Sequence, residues 1–131
     1  MEVTRNRSVA EREDEGTVVQ VKDENGDTQE GVTITVAGTY SSRYRRATDA
    51  QRERMLKSRR ASLTGEQLNR QQLELVAACI ISWEGFTAEG KPYPLTKENA
   101  VALLDNAPWI REEVESAMGD HSAYFLASST T

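Results

Sequence analysis

The chain has 131 residues, of which 37% are hydrophobic, 28% charged and 6% aromatic, and it carries a net charge of −5. That length suits one domain with a modest core. A membrane-spanning helix is excluded, because the longest apolar run, residues 75–81, falls far short of the roughly 20 residues such a helix needs.

Charge is unevenly spread. Residues 1–40 hold 4 basic and 9 acidic side chains, residues 41–60 hold 8 and 2, and residues 61–131 hold 4 and 10. An acidic chain with one basic segment makes nucleic acid an unlikely partner, since most of its surface repels phosphate. The first residues contain no apolar signal core, so the expected location is the cytoplasm. Cys79 is the only cysteine, which rules out an internal disulfide; in an apolar run it is expected to act as a small hydrophobe.

Residues 1–15 are charged and nearly free of large apolar side chains, and are read as a flexible acidic tail. A single α+β domain is expected over 16–127, with a flexible Ser/Thr tail over 128–131. The domain opens with two β-branched runs, Thr17-Val18-Val19-Gln20-Val21 and Val32-Thr33-Ile34-Thr35-Val36. Between them Asn25-Gly26 supplies the positive φ angles of a tight turn. The prediction is a β-hairpin over 17–36, with Val32, Ile34 and Val36 on one face. A lone hairpin is marginal in water, so that face must dock on helices or on a partner.

Four helices are predicted next, near 42–59, 65–83, 97–105 and 108–119. Ser41 or Ser42 caps the first, whose apolar stripe is thin. Thr64 and Gln67 form a capping box for the second, along which Leu73, Val76, Ala77, Ile80 and Trp83 recur at helical spacing. Thr96 begins the third and Pro108 suits the first turn of the fourth. Leu73, Val76, Ile80, Trp83, Leu104, Ile110 and Val114 are the expected core, and Tyr124-Phe125-Leu126 a short apolar patch. Trp83 and Trp109 are expected to anchor the fold around the loop over 90–94 and not to hold a ligand.

Chemistry-bearing patterns are scarce. His121 is the only histidine, so a hydrolase triad or a histidine-rich metal site is hard to assemble. There is no GxxxxGK[ST] or GxGxxG loop to cradle phosphate, and no Cys-x-x-Cys. Glu112 and Glu115 fit a solvated helix face better than an acid–base pair. Asp23, Asp27 and Glu30 lack the spacing of a calcium loop. The expectation is a non-enzymatic protein without cofactor or metal.

The basic segment, from Arg43 and Arg45 to Arg59 and Arg60, has three readings: a solvated helix balancing an acidic fold, a dock for an acidic protein, or a nucleic-acid contact. Tyr40, Tyr44, Arg45, Arg52, Met55, Leu56 and Arg59 are the candidate partner-binding residues.

An ordered series of motifs runs along the rest of the chain. It comprises Gln72-Leu73-Glu74-Leu75-Val76-Ala77, Trp83-Glu84-Gly85, Gly90-Lys91-Pro92-Tyr93-Pro94, Thr96-Lys97-Glu98-Asn99-Ala100 and Pro108-Trp109-Ile110. With Gly38-Thr39-Tyr40-Ser41 upstream and Tyr124-Phe125-Leu126 downstream, this series resembles the tail assembly chaperones of long-tailed, non-contractile (siphophage) bacteriophages. The resemblance implies a stoichiometric protein that binds the tape-measure protein, keeps it soluble and helps recruit tail-tube protein. It also implies action in the host cytoplasm and absence from the mature virion. The alternative is a structural virion component, such as a minor tail or head–tail connector protein. An exposed hairpin edge makes a homo-oligomer a further expectation.

Overall fold

The computed structural model describes residues 8–58 and 62–129. Residues 1–7, 59–61 and 130–131 lie outside it, and with them the start of the expected acidic tail, Arg59, and the end of the expected C-terminal tail.

The fold is α+β: an N-terminal β-hairpin followed by a mainly helical chain. It opens on helix α1 (Val9–Glu15), then the hairpin strands β1 (Thr17–Lys22) and β2 (Thr28–Val36). The turn is built by Asp23, whose Oδ1 accepts from the N–H groups of Asn25 (2.9 Å) and Asp27 (3.0 Å), with Gly26 at φ +87°. Helices α2 (Ser42–Ser58) and α3 (Gly65–Cys79) follow, then strand β3 (Ile80–Glu84) and two short strands, β4 (Thr87–Ala88) and β5 (Lys91–Pro92). The chain closes with α4 (Lys97–Asn106), α5 (Pro108–Gly119) and α6 (His121–Ser129).

Three expectations are corrected. Residues 9–15 are not tail but a helix. Ser8 caps it by accepting from the Glu11 N–H at 3.1 Å, and Glu13 is 1% exposed. The second predicted helix stops at Cys79 rather than at Trp83. Ile80–Glu84 instead pairs antiparallel with β2, opposing Ile80 to Val36 and Trp83 to Ile34. The hairpin is thereby completed as a three-stranded sheet of order β1-β2-β3. Lastly, the short apolar patch at Tyr124 lies on a helix, α6, that was not expected. The described residues hold six helices where four were expected.

The core lies between one sheet face and α3, α4 and α5. Ile34, Val36, Val76 and Val114 are fully buried there, with Leu73, Ile80, Leu104 and Ile110 at 7% exposed or less. Trp83, expected in the core, is half-buried at its rim. The predicted caps hold: Thr64 and Gln67 close the capping box of α3, Thr96 accepts from the Asn99 N–H at 3.1 Å, and Pro108 starts α5.

Both tryptophans bind backbone carbonyls, at different places. Trp83 donates to the Tyr93 carbonyl at 2.9 Å and packs on Phe86 and Tyr93, which holds the 90–94 loop as expected. Trp109 instead donates to the Lys22 carbonyl at 3.1 Å, pinning the end of β1 to α5. Gly85, at φ +87°, lets the chain leaving β3 run against Gly31 and Val32. A Cβ there would fall 2.9 Å from Val32 Cα.

Ile80→Ala removes a buried side chain from the β2–β3 seam and is expected to cost about 2–5 kcal/mol in urea unfolding. Leu56→Ala, at a site 74% exposed, is expected to stay within about 0.5 kcal/mol of the parent. Equal costs for the two would place the core wrongly.

Candidate functional site

Helix α2 is the anomaly of the fold. It runs for 17 residues and none of them is buried. Its composition explains this: charged and polar residues outnumber Tyr44, Ala47, Ala50, Met55 and Leu56, so the apolar stripe is too thin to sink into the core. Side-chain links hold it to the body. Gln51 donates to the Gln71 carbonyl at 2.7 Å, and Arg43 to the Ala78 carbonyl at 3.3 Å. Arg54 meets Glu74 at 3.6 Å; Glu74 also meets Arg70 (3.2 Å) and Lys97 (4.0 Å), so one carboxylate ties α2, α3 and α4 together.

The start of α2 is fixed by two neighbouring acids of α1. Asp14 accepts from the Arg43 N–H at 3.0 Å. Burial opposes its ionisation. Hydrogen bonds from Ser42 and Arg43, with the nearby Arg46 charge, outweigh that and hold the carboxyl below its usual range. Glu13 enters the interior. One of its oxygens accepts from the Tyr40 N–H at 2.9 Å and the other lies 2.7 Å from His121 Nδ1. His121 in turn stacks on Tyr40, with ring centroids 3.7 Å apart and planes 5° from parallel. Gly38 leaves room for this carboxylate, because a Cβ there would collide with it. Ser41 completes the junction as the cap of α2, accepting from the Tyr44 N–H at 3.0 Å.

Between α1 and α2 lies a groove of about 670 Å³. Four of the expected partner-binding residues, Tyr40, Tyr44, Arg45 and Arg52, line it together. Met55 does not; it lines a separate groove of about 240 Å³ with Leu63. Leu56 is exposed and lines neither, and Arg59 lies outside the described residues. The opposite wall belongs to Val9 and Ala10 of α1, residues not singled out in advance. Ser8 followed by Glu11 was the available signal, since Ser-x-x-Glu is the pattern of a helix start.

Among the described residues no group of three or more His, Cys, Asp or Glu is placed to hold a metal ion, and no helix is long and apolar enough to cross a membrane. Cys79 is fully buried, and burial pushes its thiol up to about 11, against a smaller opposing effect of Arg43.

A sequence comparison identifies the chain's lineage. Residues 39–124 match the family model described as YdaY prophage protein. The chain belongs to this family. It is a viral, prophage-type protein. The matched stretch takes in α2 to α5, the start of α6 and the motifs from Tyr40 to Pro108-Trp109-Ile110, and ends at Tyr124. Helix α1 and the hairpin precede it. Neither the curated proteins nor the solved structures searched contain a match.

Two outcomes check this geometry. Asp14→Ala removes an accepting group from the start of α2 and is expected to cost about 0.5–2 kcal/mol at neutral pH. Because the folded carboxyl titrates below its unfolded value of about 3.9, its contribution is whole above that pH. It is lost as pH falls through the folded value. Urea midpoints of parent and variant should therefore converge in strong acid; a constant gap would refute the charge-based account. Cys79 is expected to resist a thiol reagent at neutral pH until the protein unfolds, because the reacting thiolate is suppressed and covered. Rapid stoichiometric labelling of the native protein would contradict its burial.

Proposed function

We propose that this prophage protein is a tail assembly chaperone. It binds the tape-measure protein stoichiometrically, keeps it soluble in the host cytoplasm, helps recruit tail-tube subunits, and leaves before the particle is complete. It does so without catalysis or a cofactor. Membership of a prophage family supports the setting, and the ordered motifs between Tyr40 and Phe125 support the role. The observation that carries the reading is α2. A long helix with no fully buried residue, whose Tyr44 only half enters the core and which is flanked by exposed Tyr40 and Leu56, is a surface offered to a partner. Apolar contacts supply most of the affinity. Exposed ion pairs contribute only about 0–1 kcal/mol each, so the arginines act chiefly on encounter rate and salt dependence.

The test is co-expression with the tape-measure protein of the same prophage. The chaperone reading expects more soluble client and a recoverable complex whose association slows as salt rises. Equal client solubility with and without this protein, and no complex, defeats it. Recovery of the protein in purified mature particles would put the structural virion component in its place.

A further inference from the structure

Helix α2 turns a regular stripe toward the groove. Tyr44, Thr48 and Arg52 follow one another at intervals of four, and Arg45 lies beside Tyr44, seven residues before Arg52. This is the spacing by which one helix takes another. Both walls, α1 and α2, are helices, whose main chains beyond the first turn are hydrogen-bonded internally. An extended segment would find no ladder of N–H and C=O groups to pair with here, whereas a helix brings its own backbone already satisfied. The wall residues Val9 (44% exposed) and Tyr40 (60% exposed) offer apolar surface. The charge at the rim is basic, with Arg45 and Arg52 two turns apart, about 10 Å along the axis. Asp49, 3.6 Å from Arg52, offsets part of that charge, which leaves Arg45 the stronger anchor.

We infer that the groove between α1 and α2 seats one amphipathic helix of a partner protein. That helix carries acidic residues at i and i+7, against Arg45 and Arg52, and large apolar residues at i+3 and i+4, against Tyr40, Tyr44 and Val9. The chaperone reading supplies the identity of the client; the geometry of the groove stands without it. The seated helix covers the side of α2 that carries Arg45 and Arg52, both exposed in the free chain. Because Tyr40 is held by the Glu13 carboxylate and by His121, that part of the groove wall is set before the partner arrives, which limits the ordering cost of binding.

The probe is a fluorescein-labelled synthetic helix with Glu at i and i+7 and Leu at i+3 and i+4, compared with a twin bearing Lys in place of Glu. Fluorescence anisotropy is expected to show the Glu peptide binding about ten-fold or more tightly than the Lys peptide, two like-charge contacts being set against two attractive ones. R45E/R52E should reverse that preference, and T48W should abolish binding of both peptides by filling the groove. Circular dichroism confirms that each variant is folded. No binding of the Glu peptide, or equal binding of the two peptides to the parent, overturns the inference. So does a preference that survives R45E/R52E. Self-association that R45E/R52E abolishes and the Glu peptide does not compete would assign the groove to a second copy instead. These outcomes are separate from client solubility: a solubilised tape-measure protein with no peptide preference defeats the groove and spares the chaperone reading.

Discussion

Strand β2 is the constraint on which the fold turns. As the middle strand it satisfies β1 on one side and β3 on the other, and its Ile34 and Val36 are wholly buried. At its end the Val36 carbonyl accepts from the buried Tyr124 hydroxyl at 3.2 Å, drawing in α6. One residue later the Ala37 N–H donates to the Cys79 carbonyl at 2.8 Å, where α3 gives way to β3. A hairpin alone would have left one edge of β2 unpaired beside an apolar core, an arrangement costly in backbone hydrogen bonds. Pairing with Ile80–Glu84 removes that cost, and the close approach at Gly85 lets the chain turn away at once.

This accounts for what could be read in the residues and what could not. The hairpin turn, the Thr64 and Thr96 caps and the Pro108 start were legible because each depends on residues within a few positions of one another. The end of α3 was not. Leu73, Val76, Ala77, Ile80 and Trp83 keep helical spacing to the end, but Ile80-Ile81 is also a β-branched pair, and a demand from β2, more than forty residues upstream, decides between the two. Helix α1 was missed for a related reason. Its composition is that of a solvated tail, and its order comes from Glu13 and Asp14 finding partners in Tyr40, His121 and the first turn of α2. Of the candidate partner-binding residues, Tyr40, Tyr44, Arg45 and Arg52 proved to share one groove. Nothing in their spacing indicated that α1 would supply its other wall.

The family match begins at Thr39, yet the matched stretch draws part of its structural support from outside itself. Among the described residues the strand partner of β3 is β2, outside the match, and the carboxylates that receive the Tyr40 and Arg43 N–H groups are on α1, also outside it. The upstream segment is thus part of the same core and of the same groove. Two acids adjacent in sequence do different work there. Asp14, near the surface, offers a charge to the start of α2. Glu13, in the interior, is tolerable because Gly38 makes room for it and both its oxygens have partners.

Physical economy argues that α2 is held in place more than it is packed in place. A helix without a fully buried residue gains little from the hydrophobic effect, so beyond the partial packing of Tyr44 its position rests on its first turn and on polar links to α3. Such links are individually weak, and an element fastened this way belongs to the less stable part of the fold, where opening precedes global unfolding. That is a poor arrangement for a scaffold helix and suits the docking role proposed for its groove. Its anchored start keeps the groove formed, while the scarcity of burial along its length leaves Arg45 and Arg52 exposed and Tyr44 and Thr48 half-open beside them. The same scarcity that made the helix look marginal in the sequence is what keeps this stripe open.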